Sequence, residues 1–155
     1  MGAGDAGRIV TSDEGPAWDI EPGRPITFKL TSAETAGTVA VFEERVPVGA
    51  ITPLHIHRTS DEPLHVLAGD LTLTLGSRTT PIASGTWVFV PRGTPHGWRN
   101  SGAVPAHISA MFVPADGAQF FEQLSLLGQP IRTVPPNVLT DLGQRYGYEL
   151  VSLAW

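Results

Sequence analysis

Two histidines one residue apart, His55-Ile56-His57, narrow what this chain can fold into more than any other feature. On an extended strand, residues two apart point to the same face, so both imidazoles address one side of a sheet. Glu62 follows a short polar turn, Arg58-Thr59-Ser60-Asp61, which can bring its carboxylate back to the same place. His96 comes much later, behind Pro91-Arg92-Gly93-Thr94-Pro95, where proline and glycine fix a backbone that has to aim a ring. Three imidazoles and one carboxylate make a borderline nitrogen and oxygen set suited to a first-row divalent ion. In six-coordinate geometry such a set leaves positions for substrate or water.

The spacing around these residues resembles that of the cupin superfamily. One motif runs Gly49, His55, His57, Glu62, Gly69, and a second runs Gly85, Pro91, Gly93, His96, Asn100. Both are complete and in the family's order, and together with the intervening strand they cover about a third of the chain. The resemblance, closest to single-domain quercetinase-like members, implies an all-β double-stranded β-helix, the jelly-roll barrel. It also implies one divalent transition metal ion, with iron, manganese, nickel, copper and zinc not distinguished, held by His55, His57, Glu62 and His96. The activity it implies is a dioxygenase acting on a small aromatic or enolic oxygenated substrate.

Composition agrees with a single modest domain. The chain has 155 residues, enough for one buried core and too few for two ordinary domains. Cysteine is absent, which excludes disulfides, zinc knuckles and thiol catalysis. A net charge of -5 with scattered Lys and Arg argues against a nucleic-acid surface. No apolar run reaches membrane-spanning length and no leader pattern opens the chain, so a soluble, cytoplasmic protein is expected. Seventeen glycines and fourteen prolines fit many short strands joined by tight turns.

Residues 1–15 are expected to be a flexible segment, 16–115 the barrel, and 116–155 a helical extension packed on it. Gly2 to Gly7 spell a dinucleotide fingerprint, but no strand precedes it and no helix follows, so it reads as terminus. Arg8-Ile9-Val10 is expected to be a short strand that adds to a neighbour's sheet edge, making a homodimer. Further strands are expected at Ile26–Leu30, Thr38–Val46, Leu64–Leu67, Leu71–Leu75, Thr86–Val90, Trp98–Asn100 and Ala106–Val113. Thr86–Val90, being largely apolar, is expected to be buried on both faces. In the tail, Asp116 is expected to cap a helix bearing Phe120, Phe121, Leu124 and Leu127. Asn137 should cap a second, with Leu139, Leu142 and Tyr146 on one face and Gly147 at its end. A last strand is expected over Tyr148–Leu153, and the tail is read as covering a sheet face or edge, with a lid over the pocket as the alternative.

Other candidates divide by face. His65 lies three residues beyond Glu62, so alternation points it away from the ligands. His107 is read as surface, outer support or substrate contact, and Trp87 and Trp98 as core or pocket wall. Asn100 is expected to organise a turn through its side chain. Glu62 is the candidate catalytic residue, either a permanent ligand or a base that takes a proton from substrate. Two other functions use the same residues. One is a non-redox metal-dependent isomerase, cyclase or lyase, and the other is a non-catalytic small-molecule-binding protein.

Overall fold

The computed structural model describes residues 7–152. The fingerprint-like run therefore lies, but for Gly7, outside the described residues. Eleven strands and two helices follow one another as β1 (Ala17–Glu21), β2 (Arg24–Leu30), β3 (Ala40–Val46), β4 (Ile51–His57), β5 (Glu62–Ala68), β6 (Asp70–Leu75), β7 (Arg78–Ala83), β8 (Trp87–Val90), β9 (His96–Arg99), β10 (Ala106–Phe112), α1 (Asp116–Ser125), α2 (Pro136–Tyr146) and β11 (Tyr148–Ser152). One sheet has the order β1-β2-β3-β10-β5-β8 and the other β11-β4-β9-β6-β7, all antiparallel. The jelly-roll expectation holds, but the layers are two separate hydrogen-bonded sheets rather than one closed barrel.

Strand alternation builds the core directly. On β3, Ala40, Phe42 and Val46 point inward; on β10 the inward set is Ala106, Ile108, Ala110 and Phe112. Leu71, Leu73 and Trp98 face them from the second sheet, and Phe120, Phe121 and Leu124 of α1 close one end. Each fully buried aliphatic or aromatic side chain contributes about 1.5–3 kcal/mol, so this interdigitated interior is the main stabilising term.

Glycine and asparagine hold the two motif segments together. A Cβ on Gly97 would meet Thr52 O at 2.6 Å and Pro53 O at 3.0 Å, so only glycine lets β9 lie this close to β4. Gly49 N donates to Asn100 O at 2.8 Å, and Asn100 N donates to Ala50 O at 3.0 Å. The buried Asn100 amide donates to Val46 O and Val104 O, and its Oδ1 accepts from Gly102 N, all at 2.9 Å. The expected turn role is what the structure shows.

Several expectations fail, each for an identifiable reason. Arg8-Ile9-Val10 forms no strand; β1 occupies that sheet edge, and the Lys29 ammonium donates to the carbonyls of Thr11, Ser12 and Glu14 just after it. β8 is not buried on both faces. It is an edge strand whose outer side no layer covers, so Trp87 and Phe89 are 60% and 58% exposed while Val88 and Val90 point inward. Asp116 does not cap α1: Ser60 Oγ accepts from Gly117 N at 2.7 Å, leaving Asp116 inside the first turn, where its charge complements the helix dipole. Leu127 lies beyond the end of α1 and is exposed. α2 begins at Pro136, a favoured first helical residue, so Asn137 is not its cap; Gly147, at φ 73°, ends it as expected. Among the described residues no helix is long and apolar enough to cross a membrane.

Candidate metal centre

The site straddles the two layers. β4 carries His55 and His57, and β9 carries His96, which pairs with His55 in register. Glu62, the first residue of β5, belongs to the opposite sheet and arrives through the turn 58–61. Gly93 N donates to His57 O at 2.8 Å, tying the second motif's turn to the end of β4. Asp61 faces away, as alternation requires, and binds Arg92 through both carboxylate oxygens.

The four expected residues are therefore brought together. Their relative exposures are 2%, 2%, 1% and 0% in chain order, and one ligand atom from each lies within 4.8 Å of the others. The Nδ1 atoms of His55 and His96 meet the carbonyls of Pro53 (2.8 Å) and Thr94 (3.0 Å). Such backbone partners fix the tautomer and turn Nε2 toward the centre. His96 Nε2 lies 2.7 Å from Glu62 Oε2, and His57 Nε2 lies 3.3 Å from the same oxygen.

Burial shapes the charge states. It lowers His55 well below the ordinary imidazole range, with His96 and His57 adding to the effect. Burial would raise Glu62, but the charges of His96 and His57, whose Nε2 atoms both approach its Oε2, outweigh it and hold the carboxylate well below its usual range. Burial lowers His96 too, yet the Glu62 charge and hydrogen bond win and its net shift is upward. The centre is thus a carboxylate balanced by imidazoles.

These residues fit a divalent transition ion. Both nitrogens of His57 are buried and neither is hydrogen-bonded, Nε2 only approaching Glu62 Oε2 at 3.3 Å, a costly state that an ion at Nε2 would relieve. Three imidazoles with one carboxylate are also the donors such ions select.

Some of the surroundings escaped the sequence. Tyr148 is opposite His57 in the β11–β4 ladder, and its ring stacks on His55 at 5.2 Å and on Phe120 at 4.1 Å. Burial, with Glu62 nearby, raises its hydroxyl above the usual phenol range. Phe112 and Phe121 pack edgewise on His57 at 5.0 and 6.2 Å. A buried ion pair, Arg24 Nε to Glu44 Oε1 at 2.5 Å, lies inside the sandwich; the guanidinium also reaches Ile51 O and the Thr52 hydroxyl. Glu44 shares its alternation phase with Ala40, Phe42 and Val46, and that is the signal that marks it as inward. Trp98 is core, one of the two places expected for it, and its buried Nε1 has no hydrogen-bond partner. Trp87 instead stacks on His65 at 4.1 Å on the outer face, and His107 meets Glu43 at 2.9 Å.

Residues 42–113 match the family model described as Cupin domain. An uncharacterized protein of Methanocaldococcus jannaschii is 38% identical over 75 residues, covering 48% of this chain and 60% of that protein. Quercetin 2,3-dioxygenase of Bacillus subtilis is 41% identical over 51 residues, covering 33% of this chain and 15% of the enzyme. The chain thus spans less than two thirds of either relative. Among solved structures, the polyketide cyclase RemF from Streptomyces resistomycificus superposes with a TM-score of 0.60 at 20% identity, covering 72% of this chain and 92% of that one.

Proposed function

From the premise that this chain carries a cupin domain over residues 42–113, we propose that it is a metal-dependent dioxygenase for a small aromatic or enolic substrate bearing an acidic oxygen. The observation that carries the reading is the convergence of His55, His57, Glu62 and His96 on one buried point, with neither ring nitrogen of His57 hydrogen-bonded. The partial sequence likeness to quercetin 2,3-dioxygenase supports the reaction class.

A bound divalent ion supplies Lewis acidity and, where redox-active, a route to dioxygen. Everything else is the chain's own work. His55 and His96, steered by Pro53 and Thr94, keep Nε2 presented. Phe112, Phe121, Tyr148 and Trp98 exclude water around the imidazoles. Glu62, ionised and flanked by two imidazoles, is placed to take the proton from a substrate hydroxyl or enol.

The test is oxygen uptake by protein reloaded separately with iron(II), manganese(II), nickel(II), copper(II) or zinc(II), against flavonols and β-diketones. Oxygen consumption matched to substrate loss with a redox-active ion is the expected result. Equal turnover with zinc and no oxygen uptake would instead indicate an isomerase, cyclase or lyase. Stoichiometric binding without turnover would indicate a binding protein.

A homodimer in the cytoplasm belongs to the same reading. With no strand at Arg8-Ile9-Val10, the surface that would carry the dimer is the uncovered edge β8, where Trp87 and Phe89 lie exposed. A monomeric mass in solution scattering at micromolar concentration removes the dimer.

A further inference from the structure

We propose that Tyr148 is a positioning residue of the metal centre, its ring fixing the plane in which His55 presents Nε2. The inference rests on the reading of the buried tetrad as a metal site, and it concerns a residue outside the region 42–113 that matches the family. A hydrogen bond from His55 Nδ1 to Pro53 O pins one point of the imidazole and leaves its tilt free. Tyr148 removes that freedom. Its ring lies 5.2 Å from the His55 ring at an interplanar angle of 20°, backed on the far side by Phe120 at 4.1 Å and 2°. The same ring meets His57 at 5.8 Å and 65°. The His57 ring is held by no hydrogen bond, only by the 3.3 Å approach of Nε2 to Glu62 Oε2, so the aromatic faces and edges around it help to orient it.

The strand that delivers Tyr148 is itself pinned. Arg58 N donates to Gly147 O at 2.7 Å, and the Arg58 guanidinium binds Glu149 at 2.6 and 2.8 Å. Gly143 lets α2 lie against β11, since a Cβ there would meet Tyr148 O at 2.7 Å. The stack needs the ring and not the hydroxyl, so phenylalanine should serve.

The full-length protein is stripped and reloaded with cobalt(II). Its ligand-field absorption and the rate of cobalt loss to a chelator are then compared for wild type, Tyr148→Phe, Tyr148→Ala and Gly143→Ala. Outer supports of metal ligands typically govern about 10–100-fold in metal affinity. Tyr148→Ala is expected to lose cobalt faster by about that factor with a changed absorption band, and Tyr148→Phe to keep both wild-type properties. Gly143→Ala, which displaces the strand while the ring remains, should move both readouts in the direction of Tyr148→Ala. A wild-type rate and spectrum in Tyr148→Ala overturns the proposal, as does Tyr148→Phe behaving like Tyr148→Ala. If Tyr148→Ala does not fold, Gly143→Ala decides, and unchanged release overturns it. Wild-type protein that takes up no cobalt sinks the metal-site reading itself, which separates the two failures.

Discussion

Replacing His57 with alanine is expected to abolish metal retention while the apo protein stays folded. The imidazole is 2% exposed and packed on Phe112 and Phe121, so truncation leaves a cavity, and cavities of this kind cost about 2–5 kcal/mol. Against that stands the state of the ring itself. Both of its nitrogens are buried without a hydrogen bond, which costs about 1–3 kcal/mol per unsatisfied group. The two effects oppose each other, so metal-free His57→Ala should melt close to metal-free wild type. The large difference appears only with the ion. At a hundredfold excess over Kd, binding to the native state alone stabilises wild type by about 2.7 kcal/mol, and the variant gains none of it. Elemental analysis of purified protein, with thermal melts of the stripped and loaded forms, checks both halves. Full metal content in the variant would mean that the ligands are misassigned.

Glu62→Gln is the second large effect, and it separates holding an ion from using it. Glutamine keeps the shape at a position that is 1% exposed, and three imidazoles remain, so measurable metal should be retained. What disappears is the anion that His96 and His57 share at 2.7 and 3.3 Å. The carboxylate is ionised at neutral pH because those rings outweigh its burial, and glutamine can neither balance them nor accept a proton. General-base catalysis contributes typically about 10²–10⁴-fold, so turnover should fall within that range while metal content changes far less. Metal content and substrate loss are measured on the same preparation. Unchanged turnover rules out the base role, and complete metal loss makes Glu62 primarily a ligand.

The four candidate ligands were legible because chemistry wrote them twice. Polar residues that interrupt strand patterns at fixed spacing, beside turn-forming Gly and Pro, carry both a local conformation and a donor set. β6 was equally plain, since Leu71, Leu73 and Leu75 alternate with threonine on a sheet with one wet face. Facing was harder wherever it depends on a third layer. Trp87 and Phe89 look like core until β8 is known to be an edge strand with nothing outside it. β7 carries no comparable signal, since its Arg78-Thr79-Thr80-Pro81 run is polar and contains proline; it too is an edge strand, where proline is tolerated. The helix starts went astray for a similar reason: the α1 cap comes from Ser60, 57 residues away. The sequence puts Tyr148 on a strand, but its contact with His55 depends on which edge that strand joins, and local pattern does not encode that choice.

The division of the ligands between layers has a mechanical consequence. His55, His57 and His96 belong to one sheet and Glu62 to the other. An ion held by all four is a rivet through the sandwich, and pulling the two sheets apart must break its bonds. Contacts of this kind, completed only once the sheets have met, act chiefly on the rate of unfolding rather than on that of folding. Loaded protein should therefore resist proteolysis and thermal inactivation through a longer native lifetime, with little change in how fast the chain finds its fold.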